Sequence, residues 1–278
     1  MLLKSGFPCL AFHLLLLMFM MNAKAEKSLS TSIQLEEADQ VFFHYNDLKL
    51  GKKMPIYFGG AFPSQIPQFL PKAKADLIPF SSQKLEFLLE FFDIPLESRQ
   101  AKAMEYTLKL CEMKAEGEFN ICITSKESML DFVRKIFNNS NSNSNSNNND
   151  RFFKVLSTSS LPKSSKLLQN YVIVKQPKQV PSPKMVPCHM LIYPYAVFKC
   201  HVQKSKDQVF KISLLGEDGA YVDAIANCHM NTSNWDPNYV GFHVLGFKPG
   251  DSPICHFLPS NDLVWIPYSI PNEMENFM

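Results

Sequence analysis

The chain has 278 residues, 46% of them hydrophobic and 12% aromatic, with 28 Lys and Arg against 26 Asp and Glu. That is enough apolar material for a sizeable core. The near-balance of charge leaves no basic field to gather nucleic acid or anionic lipid, so phosphate-backbone binding is excluded as a principal role.

Residues 1–25, MLLKSGFPCLAFHLLLLMFMMNAKA, carry an early lysine, an apolar run from Cys9 to Met21 and then Ala23-Lys24-Ala25. This is the layout of a secretory signal peptide, with a mature start expected at Glu26. The run is shorter than the roughly 20 apolar residues of a spanning helix, so no membrane anchor is expected. Removing Lys4 and Lys24 leaves 26 basic against 26 acidic residues, and removing Cys9 leaves six cysteines of the original 7. An even number in an oxidising compartment points to disulfides, with 15 possible connectivities.

Residues 26–41 form a short lead segment. Helix signals follow: SSQKLEFLLEFF (81–92) combines capping serines with an apolar face at Leu85, Leu88, Leu89 and Phe92. LESRQAKAMEYTLKLCE (96–112) places Ala101, Met104, Leu108 and Cys111 at helical spacing. Thr124 and Glu127 have capping-box spacing before a third helix with Met129, Phe132, Val133 and Ile136 on one face. Residues 137–150, FNNSNSNSNSNNND, bury nothing and are expected to be a disordered surface insertion. The insertion opens with an N-glycosylation sequon at Asn138; Asn231 heads a second.

Beyond the insertion the vocabulary is that of strands. Residues 208–228 predict a hairpin about Gly216–Gly219, residues 240–258 another about Pro249-Gly250-Asp251, and Tyr193-Pro194-Tyr195 a third turn. The expected class is α+β, N-terminal helices followed by a C-terminal antiparallel sheet or small barrel stapled by disulfides. Residues 268–278 form a tail.

Cys-His occurs four times, at 188–189, 200–201, 228–229 and 255–256, with 10, 26 and 25 residues between successive pairs. Neighbours on a strand point to opposite faces, so one pair cannot easily put both side chains on one ion. Cysteines are therefore expected on one side as disulfides, and histidines on the other. A three-residue loop centred on Pro194 sets Cys188 opposite Cys200, whereas a two-residue loop sets it opposite His201; the residues alone leave both open. Cys111 and Cys122 flank a turn at Gly117 and are expected to form a local bridge, which leaves three pairings for Cys188, Cys200, Cys228 and Cys255. Four converging histidines suit copper or zinc; the alternative is a set of hydrogen-bonded structural histidines beside the disulfides. No nucleophile-elbow motif or phosphate-binding glycine loop is present.

The four pairs at these intervals resemble the signature of the plant BURP-domain family. FFHYNDLKLGKKMPIYF (42–58), FLPKAKADLIPFSS (69–82), CEMKAEGEFNICITSKESMLDF (111–132) and the block 228–265 are similar to further family segments, so the likeness spans 42–267. The short lead segment is similar to the compact, seed-protein-like branch.

The resemblance implies a secreted, non-catalytic protein of seed development, the cell wall or stress responses, with wall or storage-compartment components as partners. It also implies an alternative, a copper-dependent peptide cyclase that crosslinks Tyr or Trp side chains. In either case the copper role falls on His189, His201, His229 and His256. Residues 26–41 contain neither Tyr nor Trp, which disfavours a core peptide carried in the same chain and leaves a peptide supplied in trans. Wall and storage vacuole are both compatible with the secretory route.

Overall fold

The computed structural model describes residues 41–58, 67–113, 118–138, 152–159, 161, 165–182, 184–203 and 207–268. The signal peptide, most of the lead segment, residues 139–150 of the insertion and residues 269–278 of the tail lie outside the described residues.

Two antiparallel sheets dominate. The larger contains β1 (Phe42–His44), β2 (Lys53–Tyr57), β5 (Leu168–Ile173), β6 (Lys178–Gln179), β9 (Gln208–Gly216), β10 (Tyr221–His229) and β11 (Ile254–Phe257). Its order is β1-β11-β10-β9-β5-β2, with β6 also paired to β9. The smaller runs β3-β8-β7-β12-β4, from β3 (Glu118–Ile123), β4 (Phe152–Leu156), β7 (Val186–Leu191), β8 (Val197–Gln203) and β12 (Leu263–Tyr268). The larger sheet curls into a half-barrel, for Phe43 on β1 and Ile56 on β2, at opposite edges, share one core. The ring of Phe58, just past β2, lies 5.8 Å from that of Phe257 on β11.

The helices are α1 (Lys72–Ala75), α2 (Leu85–Phe91), α3 (Arg99–Glu112), α4 (Lys126–Asn138) and α5 (Val240–Leu245). Their apolar faces are those the periodicity indicates: Leu88, Met104, Leu108 and Val133 are at most 1% exposed. Burial of each such side chain contributes about 1.5–3 kcal/mol. Ser98 caps α3 by accepting from Ala101 N at 3.0 Å. At α4 the capping hydroxyl is Ser125, accepting from Ser128 N at 3.1 Å, one residue beyond the expected Thr124.

The mixed α and β class holds, but the division into helical and sheet halves does not. β1, β2 and β3 precede or interleave with the helices and pair with β11, β5 and β8. β2 is an edge strand, a position that tolerates Pro55 because an edge residue need not donate to a neighbour on both sides. The 216–219 hairpin forms as expected, with Gly219 at φ +82° where a side chain would be strained. The second expected hairpin does not. Val240–Leu245 is α5, anchored by buried Phe242 and closed by Gly246 in the left-handed region at φ 71°. Alternation of Val240, Phe242 and Val244 mimics a strand, while Gly246 followed by Pro249 is the helix-stop signal that opposes it. No helix among the described residues is long and apolar enough to cross a membrane.

Which faces meet is decided at β10, where Ile225 to His229 are all buried, so both faces of this stretch are covered. Ala224, Ala226 and Cys228 face the half-barrel core. Ile225, on the other face, packs with Val209 and with Leu156, Leu258, Val264 and Ile266, the last group including strands of the smaller sheet. Thr158 ties the two sides: its hydroxyl donates to Leu258 O at 2.6 Å and accepts from Ile225 N at 3.0 Å. The far face of the smaller sheet is covered by α4, through Met129, Phe132, Val133 and Phe137; Phe137 and Asn138, expected to open the disordered insertion, instead complete this helix, with Phe137 buried.

Candidate metal centre

In each sheet two Cys-His dipeptides lie on paired antiparallel strands. Cys188 stands opposite Cys200 and Cys228 opposite Cys255. Both pairs are disulfides with Cα atoms 4.0 Å apart. The β7–β8 connection, residues 192–196, is an odd-length loop centred on Pro194, which selects the Cys188–Cys200 register over the Cys188–His201 one. Cys111 and Cys122 form the expected local bridge, joining α3 to β3. All four cysteines of the Cys-His pairs are fully buried, facing the two outer cores.

Strand alternation then sends the four histidines to the opposite faces, where the sheets meet. His189 follows Cys188 and His201 follows Cys200, so on antiparallel strands they are diagonal neighbours. The same holds for His229 and His256. His189 Nε2 lies 3.2 Å from His201 Nε2, and His229 Nε2 lies 3.2 Å from His256 Nε2. Within each pair the rings stack with centroids 5.3 Å apart. Between pairs, His189 is 5.9 Å from His256 and His201 is 6.4 Å from His229, centroid to centroid. The two pairs are thus neighbours, one from each sheet. As placed, no group of three or more His, Cys, Asp or Glu side chains among the described residues is set to hold a metal ion. The preformed unit is the pair.

The outward nitrogens determine what the inward ones can do. His189 Nδ1 lies 2.7 Å from Asp262 Oδ2, and His229 Nδ1 lies 3.1 Å from Asp207 Oδ2. An ionised carboxylate only accepts, so each Nδ1 carries the hydrogen and, in a neutral ring, each Nε2 presents a lone pair. His256 Nδ1 faces Phe257 O at 3.3 Å, which imposes the same tautomer. Burial, then the charges of His229 and His189, push the His256 pKa well below the ordinary histidine value, which keeps that ring neutral. His229 Nε2 and His256 Nε2 face each other across 3.2 Å, and with both rings neutral a cation between them would take both lone pairs.

Four side chains complete the surroundings. Asp262 is buried and also accepts from Met190 N at 2.9 Å. Trp235 sets its ring edge-to-face on His229, 4.8 Å between centroids, and Tyr239 sits 4.9 Å beyond. Asn227, two residues before His229 and opposite His256 in the β10–β11 register, donates from Nδ2 to His229 Nε2 at 3.4 Å. None of these follows from the Cys-His spacing. The available signals are weak: Asn227 shares strand parity with His229, while Asp207 and Asp262 merely precede strands. Of the other histidines, His44 packs on Phe247 and His243 is exposed on α5. Asn138 ends α4 and is exposed, and Asn231 is exposed with its carbonyl accepting from Ser233 N at 3.1 Å.

Comparison with known proteins identifies the family. The BURP domain model matches residues 41–267. The chain belongs to the BURP domain family. It is 41% identical over 232 residues to BURP domain-containing protein BNM2A of Brassica napus, covering 81% of this chain and 79% of that one. Identity to BURP domain protein USPL1 of Arabidopsis thaliana is also 41% over 232 residues, with the same two coverages of 81% and 79%. BURP domain protein RD22 of Arabidopsis thaliana is 36% identical over 236 residues, 82% of this chain and 56% of that one. Within this plant BURP family, the block 42–58 supplies β1 and β2, the block 111–132 supplies β3, and the block 228–265 supplies β11 with His229 and His256.

Proposed function

We propose that this BURP protein enters the secretory pathway and holds one copper ion between its sheets through His189, His201, His229 and His256. Its role there is non-catalytic, in seed development, the cell wall or the stress response. The observation that carries the metal reading is the pair of Nε2 atoms facing each other at 3.2 Å, with His229 Nδ1 held against Asp207 and His256 Nδ1 against Phe257 O. Two nitrogens bound to one ion at about 2.0–2.1 Å stand roughly 3 Å apart, so each pair fits as two adjacent ligands. Neutral imidazole suits copper, and a carboxylate on the far nitrogen raises ligand basicity. Copper bound there would supply one-electron redox chemistry. Three disulfides fit an oxidising compartment, either the wall or a storage vacuole.

A second reading is the copper-dependent cyclase acting on a Tyr- or Trp-containing peptide supplied in trans. Its support is access: the His189 side chain is 29% exposed, whereas His201 and His229 are 8% and 3% exposed as residues. The test is metal analysis of the secreted protein, followed by incubation with such peptides under dioxygen. One copper per chain with peptides unchanged in mass supports the binding role. A product lighter by two hydrogens supports the cyclase. A folded, disulfide-intact protein without stoichiometric copper rules out both.

A further inference from the structure

Asn227 is fully buried, yet its Oδ1 has no hydrogen-bond partner among the described residues. The side chain lies on the histidine face of β10, next to the His229–His256 contact. Its orientation is set by geometry: the amide nitrogen Nδ2 lies 3.4 Å from His229 Nε2, so Nδ2 is the side of the amide that faces the histidine. The carbonyl oxygen then points elsewhere without a donor. A buried acceptor left in that condition is destabilising, and native proteins usually satisfy such a group with a side chain, a backbone group or a bound water.

We propose that Asn227 is the protein's half of a small-ligand subsite beside the His229–His256 pair, built for an oxygen that both donates and accepts: a water, or the hydroxyl of a larger molecule. Oδ1 accepts the ligand's O–H. When a cation takes the His229 lone pair, Nδ2 loses its acceptor and turns to the ligand as well, so that one amide offers a donor and an acceptor to a molecule at the ion. Asn227 is a positioning residue for that molecule and not one of the metal ligands. The second part of the proposal rests on the copper reading; the first does not.

The test compares wild type with Asn227→Leu, which keeps similar bulk without polar atoms, and with Asn227→Ala should Leu overpack. Disulfide mapping and circular dichroism verify folding. Azide, an anion that accepts hydrogen bonds, serves as the probe for Nδ2. Copper-loaded wild type should bind azide about tenfold more tightly than either loaded variant, the effect of one hydrogen bond to a charged group. Azide affinities equal within about twofold would overturn the role at the ion. In metal-free wild-type crystals a water should lie within about 2.7–3.2 Å of Oδ1. A dry Oδ1, or one bonded to a protein group, would overturn the subsite. Wild type that takes up no copper defeats the metal reading alone, and the metal-free crystals still decide the subsite.

Discussion

The two Cys-His strand pairs are the same device built by different routes. In the smaller sheet β7 and β8 are consecutive, and their cysteines are 12 residues apart. In the larger sheet β10 and β11 are separated by a loop and α5, and their cysteines are 27 apart. Both nevertheless give a 4.0 Å Cα separation across the disulfide and a 3.2 Å Nε2 contact on the opposite face. What the two share is the adjacent Cys-His dipeptide on paired antiparallel strands. The disulfide fixes register on the outer face, and register fixes the histidine diagonal on the inner one. The surroundings differ: the first pair is oriented by Asp262 and partly open, whereas the second has Asp207, Asn227 and an aromatic cover from Trp235.

The largest effects should come from breaking each staple. Replacing Cys188 and Cys200 by Ala should cost about 2–5 kcal/mol, and replacing Cys228 and Cys255 about 0.7 kcal/mol more because the closed loop is longer. Denaturant unfolding of the two double variants checks the order; a costlier loss at the shorter loop would mean that packing, not chain entropy, separates the two sites. Next come the ligands. His189→Ala and His229→Ala should each weaken copper binding by more than about a hundredfold, exceeding an outer-group effect. Competition titration would refute a shared centre if one variant bound copper as wild type does.

Smaller effects are expected from the carboxylates. Asp262→Asn and Asp207→Asn should each lower copper affinity about 10–100-fold, with Asp262 the greater, since its contact is the shorter at 2.7 Å against 3.1 Å. Nitrogen-15 shifts of the rings in metal-free protein should show Nδ1–H tautomers at His189 and His229 in wild type, lost at the ring facing the altered residue.

The smallest effect concerns the turn that belongs to the first pair alone. Tyr193 and Tyr195 are buried against α2 and α3, and their hydroxyls have no hydrogen-bond partner among the described residues. Tyr195→Phe should therefore be neutral or slightly stabilising by thermal melting. Burial raises the Tyr195 pKa to about 12, above the ordinary tyrosine value of 10.0. Between those values the unfolded chain releases the proton and the folded one keeps it, so stability falls as pH rises, and less steeply in Tyr195→Phe.

Much of this arrangement is legible in the chain because strand parity is a local property. Cys-His adjacency alone separates thiols from imidazoles onto opposite faces, and the short separation of Cys111 and Cys122 points to the local bridge that forms. The helix faces follow from three- and four-residue spacing. Loop length is not local in the same way: one residue decides whether Cys188 meets Cys200 or His201, and the 192–196 loop had to be seen. β1 and β2 escape notice because three- and five-residue edges, one containing Pro55, have too little periodicity to register. α5 hides behind its strand-like alternation. Asp207, Asp262 and Asn227 acquire meaning only when distant strands pair, and no local pattern marks them.

The most direct test of a single four-histidine centre is electron paramagnetic resonance of the disulfide-intact protein loaded with one equivalent of Cu(II), resolving the nitrogens bound to the ion. One centre drawing on both sheets predicts four imidazole nitrogens, with the signal disrupted by His189→Ala and by His229→Ala alike. A spectrum of only two nitrogens, disrupted by one of these substitutions and indifferent to the other, would contradict it.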